Sequence, residues 1–355
     1  MKKVAIIVFD ITKRAGTERA VCNLANLLAD SRKYEVTIIS IHSTYGKAAY
    51  DIKDDILLIH LGLSQFKNKV ARLRLYSLTI KKINQICKEK KIDVVIGTTH
   101  GINIILALLK KSMKTVVCEH TCYMTATLIA RILRRLVYPF LDAVVVLTNS
   151  DAKFYSFHKD VKVIPNSQTF QSEKQSDLTN KKILAVGRLS HLKGFDLLID
   201  AIYLFRNEYN GWKIKIIGSG ENEDILKKKI ERLELGKLIM LCPSTNNIIQ
   251  EYLQASIFVL SSRSEGFGLV IIEAQSCGLP VVSFDCPSGP AEIIKHNENG
   301  LLVENGNIVE LSQSILELMY NQDKRIHLGK NALENINKYK PEKIFELWDK
   351  LLDIL

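Results

Sequence analysis

Short apolar runs alternate with longer amphipathic stretches along the whole chain. The short runs, rich in Val and Ile, predict strands, and stretches whose apolar residues recur every three or four positions predict helices. This alternation predicts an α/β protein with parallel sheets and right-handed crossovers. Strands are predicted at residues 4–9, 36–41, 56–60, 94–96, 115–118, 143–147, 161–164, 183–186, 213–217, 238–241, 257–260, 280–283 and 301–303. Helices are predicted near residues 18–30, 68–91, 101–111, 125–139, 195–208, 221–235, 247–254, 268–277, 290–295, 307–320, 324–338 and 341–355.

The most polar stretch of the chain, residues 166–182, is poor in bulky aliphatic side chains and predicts a linker. It separates a first domain at residues 1–165 from a second at residues 183–340. Two Rossmann-like domains joined by one linker enclose a cleft, and ligands of such sheets bind beyond the carboxyl ends of the strands.

The composition is that of an ordinary globular protein, with 47% hydrophobic and 25% charged residues among 355. It excludes the disordered and collagen-like classes. The seven cysteines lack paired CxxC spacing, so neither a disulfide framework nor a zinc site is expected, and a reducing cytoplasm is favoured. The longest apolar candidate, residues 94–109, contains His100 and Asn103 and is too short to span a bilayer, so a soluble or peripheral protein is expected.

Positive charge is concentrated in the first half of the chain. Residues 1–165 contain 27 Lys and Arg against 13 Asp and Glu, a net charge of +14, whereas residues 166–355 carry −3. So basic a half predicts an anionic partner, which can be nucleic acid, an anionic membrane or a phosphorylated substrate. Nucleic acid is not expected, because neither zinc-finger spacing nor an aromatic RNA-binding motif accompanies the charges.

Two basic stretches, at about residues 67–91 and 127–140, have amphipathic patterns. In the second, apolar side chains share a broad face opposite Arg131, Arg134 and Arg135. One interpretation is that both helices pack on a sheet with their outer faces in solvent. The other is that they lie on anionic lipid, which requires a lipid substrate.

The strongest cluster of candidate functional residues lies in the loop before a predicted helix of the second domain. The backbone N–H groups of Phe267, Gly268 and Leu269 would open that helix without intrahelical acceptors, and so form a cradle for an anion or a sugar hydroxyl. Glu265 lies at the lip of this loop and Glu273 lies eight residues further on, so both carboxylates are expected to face a ligand. The alternative is a helix cap with a surface glutamate.

Three further loops follow predicted strands. In the loop after residues 183–186, Arg188 and Lys193 are five residues apart, so their cationic groups can converge on one diphosphate. The alternative is two solvated surface cations. After the first strand, Gly16 lets the backbone approach a phosphate at the start of a helix, and Gly218 follows a strand of the second domain in a similar way.

Four short motifs therefore stand at predicted strand ends: Ala-Gly-Thr-Glu at 15–18, Gly-Arg at 187–188 with Lys-Gly at 193–194, Gly-Ser-Gly at 218–220, and Glu-Gly-Phe-Gly at 265–268 with Glu-Ala at 273–274. In this order they resemble the retaining nucleotide-sugar glycosyltransferases of group 1. The resemblance covers nearly the whole chain and implies the GT-B fold, with two Rossmann-like domains facing across a cleft. The loop at 285–292 resembles members that build bacterial surface polysaccharides and lipid-linked oligosaccharides. In relatives a final helix, here 341–355, crosses back onto the first domain.

The resemblance implies a role for each matching residue. Arg188 and Lys193 would neutralise the diphosphate leaving group. Glu273 would bind the ribose hydroxyls, and Glu265 would lie beside the sugar ring. His120, which ends a strand of the first domain, resembles the family histidine that contacts the donor sugar; the alternative is a structural histidine. The remaining donor-binding residues implied by the resemblance are Gly16, Thr17, Gly218, Phe267, Gly268 and Leu269.

Two positions stand apart from this pattern. His100 also ends a predicted strand and is a candidate residue on the acceptor side. The family usually has two glycines where this chain has Ala15 and Gly16. If the first of these positions requires positive φ, alanine there would cost roughly 1 kcal/mol or shift the loop.

The same inventory predicts how the reaction proceeds. No Asp-x-Asp motif stands in a matching loop, so neither a divalent metal nor a cofactor is expected, and protein cations stabilise the leaving group instead. Retaining glycosidases use a carboxylate nucleophile, for which Glu265 is the analogue. The resemblance instead favours front-face attack assisted by the departing phosphate, with Glu265 in a positioning and electrostatic role.

The resulting prediction is a retaining glycosyltransferase that moves a hexose or N-acetylhexosamine from a UDP-sugar to a polyprenyl-diphosphate-linked saccharide. It would act at the inner face of the cytoplasmic membrane, bound through the stretches at 67–91 and 127–140. The alternatives are a transferase to a soluble acceptor, a UDP-sugar epimerase of the same fold, and a non-catalytic partner of glycans or of another transferase. A non-catalytic partner would be expected to lose carboxylates or cations of the motifs, whereas this chain keeps Arg188, Lys193, Glu265 and Glu273.

Overall fold

Every strand pairing in this computed structural model is parallel within the residues that it describes, which are 1–63, 69–109, 112–170 and 172–355. The chain divides into two units. One consists of Met1–Ser167 together with Pro341–Leu355, and the other consists of Gln168–Lys340. Each unit contains its own parallel sheet, as the alternation of apolar runs and amphipathic stretches predicts.

The first unit is built on a seven-stranded sheet whose first strand lies near the middle. Its strands are β1 (Lys2–Val8), β2 (Tyr34–Ser40), β3 (Leu57–His60), β4 (Val94–Gly97), β5 (Lys114–Glu119), β6 (Ala143–Val146) and β7 (Val161–Val163). They are ordered β3–β2–β1–β4–β5–β6–β7. The helices between them are α1 (Gly16–Asp30), α2 (Lys69–Lys90), α3 (His100–Leu106), α4 (Leu128–Val137) and α5 (Asn149–Ala152).

The second unit repeats this arrangement with six strands. They are β8 (Lys182–Val186), β9 (Lys213–Ile217), β10 (Ile239–Cys242), β11 (Ile257–Leu260), β12 (Val281–Asp285) and β13 (Gly300–Glu304). Their order is β10–β9–β8–β11–β12–β13. The helices are α6 (Phe195–Leu204), α7 (Glu223–Arg232), α8 (Ile248–Leu253), α9 (Leu269–Ser276), α10 (Pro290–Ile293), α11 (Ile308–Tyr320) and α12 (Gln322–Asn335).

The sequences of the inner strands explain why they lie at the centre of the sheets. All four residues of β6 (AVVV) and all four of β11 (IFVL) are buried. Strands covered by helices on both faces must be apolar on both faces, so they lack the polar alternation of a half-exposed strand. The apolar runs therefore identify the strands well, although they do not show the order in which the strands pair.

The last helix, α13 (Pro341–Ile354), belongs to the first unit. Its Trp348 is buried. Its Asp349 accepts hydrogen bonds from the hydroxyl of Tyr34 at 2.8 Å and from the ammonium of Lys33 at 2.5 Å. The chain therefore passes from the first unit to the second and returns at Pro341.

The polar stretch at 166–182, which the sequence predicts to be a linker, packs over most of its length on the second unit. The N–H of Ser176 donates to the carbonyl of Cys277 at 2.9 Å, and the guanidinium of Arg325 donates to the carbonyl of Leu178 at 3.3 Å. Leu178 is 5% exposed. Buried Leu178 and these hydrogen bonds help to hold the segment, and a polar composition alone does not reveal them.

Helix α4 is shorter than the predicted helix at 125–139. It begins at Leu128 because the side chain of Thr127 accepts a hydrogen bond from the N–H three residues later, as an N-cap does. It ends at Val137, and a 3₁₀ turn that contains Pro139 follows, because proline cannot donate to a preceding carbonyl.

Helix α2 covers the basic stretch predicted at 67–91, of which residues 67–68 and the side chains of 69–74 lie outside the described residues. From Leu75 onward its apolar face is buried, through Ile83 and Cys87. The helix predicted at 101–111 is α3, which ends at Leu106; Lys110 and Lys111 lie outside the described residues.

The order of strands determines which loops meet. In each sheet the chain starts at an inner strand, adds strands on one side and then crosses to the other side, so a switch point lies next to the first strand. In the second unit this point lies between β8 and β11. The loops that follow these two strands are therefore adjacent, and both contain residues singled out in the sequence.

Gly194, which precedes α6, is predicted to be important for the stability of the second unit. Its φ is +62°, and a Cβ atom there would lie 2.0 Å from the carbonyl oxygen of Ser261. We expect Gly194→Ala to lower the free energy of unfolding by about 2–4 kcal/mol, measured by urea denaturation. Gly236→Ala is the matched control, because a Cβ there meets nothing within 4 Å, and we expect a change below about 0.5 kcal/mol. Equal midpoints for the two variants would contradict this prediction.

Candidate active site

A cation and a carboxylate meet at the switch point of the second unit. The ammonium of Lys193, in the loop after β8, lies 2.6 Å from Oε1 of Glu265, in the loop after β11. The hydroxyl of Ser262 donates to the same oxygen at 2.6 Å. Glu265 is 8% exposed, so its carboxylate is buried but has two donors. The two loops are thus joined where a ligand of this sheet architecture binds.

A second ion pair, between Arg263 and Asp196, also links the segments that follow β8 and β11. Both terminal guanidinium nitrogens of Arg263 contact the carboxylate of Asp196, at 2.8 and 2.6 Å. The backbone N–H of Arg263 donates to the carbonyl of Leu192 at 2.8 Å. The hydrogen bonds from Arg263 lower the pKa of Asp196. A bidentate pair of this kind restricts geometry as well as contributing energy, so it orients the loop that carries Lys193.

Arg188 and Lys193 have separate partners in this structure. The guanidinium of Arg188 lies 3.1 Å from a carboxylate oxygen of Glu221, and both side chains are more than half exposed. Lys193 instead contacts Glu265. The convergence of the two cations on one diphosphate remains a prediction, and it requires Arg188 to exchange Glu221 for the ligand.

The structure places Phe267, Gly268 and Leu269 at the start of α9, and their role as a cradle stays a prediction. Gly268 adopts φ +96°, and Leu269 is the first residue of the helix. Phe267 is buried, and its ring packs edge-on against Tyr339. The backbone at this helix start is therefore held by a buried aromatic side chain on one side and by a left-handed glycine on the other.

Glu273 lies in the second turn of α9 and is 1% exposed, so the interpretation as a surface glutamate is wrong. Its two carboxylate oxygens accept hydrogen bonds from the hydroxyl of Tyr252, at 2.9 Å, and from the hydroxyl of Thr169, at 3.0 Å. No sequence pattern pointed to either partner, because Tyr252 lies in α8 and Thr169 in the polar stretch. Both contacts bring together residues from separate segments of the second unit.

Gly218 has a steric reason to be glycine. An added Cβ would lie 1.9 Å from the carbonyl oxygen of Gly187, because the loop after β9 passes directly against the loop after β8. Its role in donor binding stays a prediction, whereas its role in packing these two loops follows from the backbone.

The loop after β1 shows no strain at the position where the family usually has a glycine. Ala15 has φ −143° and ψ 173°, which is extended backbone open to any residue, so the expected cost of alanine does not arise. Gly16 and Thr17 form the first turn of α1, and a Cβ at Gly16 would meet nothing within 4 Å.

His120 follows β5 and lines a cavity of about 20 Å³ in the first unit. The wall includes Asn23 and Leu24 of α1 and Trp348 of α13. The buried side-chain nitrogen of Asn23 has no hydrogen-bond partner among the described residues. A space of this size with polar groups can hold a water molecule. Burial lowers the pKa of His120 to about 4, so the ring is neutral near pH 7.

A buried polar cluster fixes the strand end just before His120. Glu119 is 3% exposed and accepts hydrogen bonds from Arg134 at 3.0 Å, from Asn103 at 2.8 Å and from the hydroxyl of Tyr138. Removing one partner of such a buried pair typically costs about 3–5 kcal/mol. No sequence pattern identified this cluster, because its members come from β5, α3, α4 and the turn after α4.

His100 differs in position from the predicted strand end. Strand β4 ends at Gly97, and His100 is the first residue of α3, with Thr99 as its N-cap residue. Its side chain is exposed. Its candidate role on the acceptor side stays a prediction.

In the described parts of the chain, no group of three or more His, Cys, Asp or Glu residues is placed to hold a metal ion. No helix in the same residues is both long and apolar enough to cross a membrane.

Comparisons with known proteins show the family and the fold of this chain. Two family models match the chain, glycosyl transferases group 1 over residues 166–335 and glycosyltransferase family 4 over residues 14–167. An uncharacterised glycosyltransferase of Haemophilus influenzae is 31% identical, over 99% of this chain and 100% of its own length. The GalNAc-α-(1→4)-GalNAc-α-(1→3)-diNAcBac-PP-undecaprenol α-1,4-N-acetyl-D-galactosaminyltransferase of Campylobacter jejuni is 29% identical, over 99% of this chain and 98% of its own.

A solved structure shows the same fold. TarM of S. aureus, crystallised with fondaparinux, α-GlcNAc-glycerol and UDP, superposes with a TM-score of 0.84 at 18% identity and covers 99% of both chains. The protein is an α/β protein of the GT-B fold. It belongs to the group 1 glycosyltransferases, as the resemblance predicted.

The pKa of His120 predicts a pH dependence of stability. The unfolded chain protonates this histidine below about pH 6.5, whereas the folded chain resists protonation down to about pH 4. Stability should therefore fall as the pH decreases through this window. We expect the stability advantage of wild type over His120→Gln to shrink by roughly 1–3 kcal/mol between pH 7.5 and 4.5, measured by urea denaturation. An unchanged difference between the two proteins would show that His120 titrates normally.

Proposed function

We propose that the protein transfers a hexose or N-acetylhexosamine from a UDP-sugar to a polyprenyl-diphosphate-linked saccharide, with retention of the anomeric configuration and without a divalent metal. The observation that carries this proposal is the contact between Lys193 and the buried Glu265 beside the start of α9. It joins a cation, a carboxylate and a helix N-terminus at the switch point of the second unit.

The chemistry follows from where charge develops. As the bond between the anomeric carbon and the diphosphate oxygen breaks, negative charge grows on the leaving group and the sugar ring becomes oxocarbenium-like. Lys193, Arg188 and the N–H groups at the start of α9 present positive potential to the leaving group. Glu265, held by Lys193 and Ser262, would face the positive ring and orient its hydroxyls.

Glu273 would bind the ribose hydroxyls of the donor. The hydrogen bonds from Tyr252 and Thr169, which hold its buried carboxylate in one orientation, support this role. Support for UDP as the nucleotide comes from TarM, whose structure contains UDP. In the first unit, His120 would contact the donor sugar as a neutral ring, since burial lowers its pKa to about 4.

Two observations support the proposed acceptor: the acceptor of a relative and the charge of this chain. The Campylobacter relative acts on an undecaprenol-diphosphate saccharide, and this chain carries a net charge of +14 over residues 1–165. An anionic lipid acceptor matches so basic a half. We therefore place the protein at the inner face of the cytoplasmic membrane, where such an acceptor presents its saccharide to a cytoplasmic enzyme.

Nucleotide binding is the first test. In excess chelator, UDP at a hundredfold excess over its Kd should stabilise the wild type by about 2.7 kcal/mol, whereas GDP should not, measured by thermal unfolding. Arg188→Ala and Glu273→Gln should lose most of this shift. Glu221→Gln is the matched control, because it removes the exposed partner of Arg188 while keeping the cation, and its shift should be at least that of the wild type. No shift with either nucleotide would favour a non-catalytic partner.

Transfer is tested with a UDP-hexose and a UDP-N-acetylhexosamine, each offered with a polyprenyl-diphosphate saccharide or with the same saccharide free in solution. We expect an α-linked product on the lipid-linked acceptor from an α-linked donor, read by NMR of the new anomeric proton, with chelator present. Glu265→Gln, which keeps the shape of the side chain and removes its charge, should lower kcat by about a hundredfold or more. Product only on the free saccharide, or a new UDP-sugar formed without acceptor, would replace this function by a soluble-acceptor transferase or an epimerase.

A further inference from the structure

Helix α4 faces the opposite way from an ordinary surface helix. Its large apolar side chains, with that of the following turn, are between 38% and 72% exposed, and they are Leu128, Ile129, Ile132, Leu133, Leu136 and Phe140. Of the ten residues of this fully described helix, only Arg134 is buried. The charged side chain therefore points inward and the apolar side chains point outward.

The exposed residues form one continuous face. At 100° per residue, the helical positions from Leu128 to Leu136 that carry these side chains span an arc of about 140°. Arg134 lies opposite the middle of that arc. Arg131 and Arg135 lie along one edge of it. The arrangement is that of an amphipathic helix whose apolar stripe has no partner within the described residues.

The buried cluster around Glu119 keeps α4 in this orientation. Arg134 donates to Glu119 at 3.0 Å inside the first unit, and Tyr138, just after the helix, donates to the same carboxylate. Turning the helix so that its apolar face met the sheet would withdraw Arg134 and leave Glu119 buried without its cation. The apolar face is therefore held outward.

Helix α2 provides the contrast within the same unit. It is equally basic, but Leu75, Ile83 and Cys87 are buried along it, so this part of α2 packs on the sheet as an ordinary surface helix does. The described side chains of the two basic amphipathic stretches thus differ, because those of α2 from Leu75 onward bury an apolar face and those of α4 expose one.

The charges next to this face identify what it binds. From residue 120 to residue 141 the chain contains three arginines and no Asp or Glu. Arg131 and Arg135 stand at the edge of the apolar stripe, where the headgroups lie when a helix rests in the plane of a bilayer. We propose that α4 docks its apolar face onto an anionic lipid bilayer. The reason for a lipid partner rests on the proposed function, whereas the orientation of α4 does not.

A second copy of the chain fits this face less well than a bilayer does. Two α4 helices packed face to face would bring Arg131 and Arg135 of each copy near those of the other, with no carboxylate in the segment to offset them. An anionic membrane supplies both the apolar layer and the opposite charge.

The test is flotation of the full chain with vesicles of phosphatidylglycerol and phosphatidylethanolamine, without any sugar nucleotide. We expect the wild type to float, and the double variant Ile129→Asp, Leu136→Asp to partition at least about tenfold less. The matched control is Ile225→Asp with Val309→Asp, two exposed apolar residues of α7 and α11 in the second unit, which introduces the same charge change. This control should float like the wild type.

Three outcomes would overturn the docking proposal. They are a wild type that stays at the bottom of the gradient, an α4 variant that floats as well as the control, and a wild-type dimer by light scattering that only the α4 variant dissociates. The thermal shift with UDP, measured on the same proteins, separates this proposal from the proposed function. A wild type that does not float but shows the UDP shift contradicts the docking of α4 and leaves the nucleotide site supported. A wild type that floats but shows no UDP shift contradicts the nucleotide site and leaves the docking of α4 supported.

Discussion

Parallel pairing constrains this protein more than any single contact. When all strands of a sheet run the same way, their carboxyl ends lie along one edge, and the loops that follow two adjacent strands must meet there. Lys193 and Glu265, 72 positions apart in the chain, are neighbours for this reason. The close passage of Gly218 against Gly187 is a second result of the same geometry.

Each unit also contains a buried carboxylate that is matched by hydroxyl, amide or cationic donors. In the second unit, Glu273 is held by a tyrosine and a threonine; in the first, Glu119 is held by an arginine, an asparagine and a tyrosine. A buried charge is tolerated only when such donors are fixed around it. The local structure next to His120 and at α9 is rigid as a result, which suits groups that must be in place before a substrate arrives.

The sequence predicted the strands closely, because buried parallel strands are apolar along their whole length. It also predicted the loops that carry candidate residues, because glycines and charges stand where the apolar runs end. Periodicity could not show the direction of α4, since it reports which residues share a helix face and not which face turns inward. Arg134 decides that direction through Glu119, a partner that no local pattern connects to it. For the same reason, the sequence did not predict that Tyr252 and Thr169 contact Glu273 or that Leu178 is buried.

The return of the chain at Pro341 makes the second unit an insertion within the first. The N–H of Gln168 donates to the carbonyl of Tyr339 at 2.9 Å, so the segments by which the chain enters and leaves the insertion lie side by side. The amino-terminal unit is consequently incomplete until the ribosome has made the last helix. Loss of α13 would remove Trp348 from the wall of the His120 cavity, and so would damage the unit that contains the amino-terminal residues.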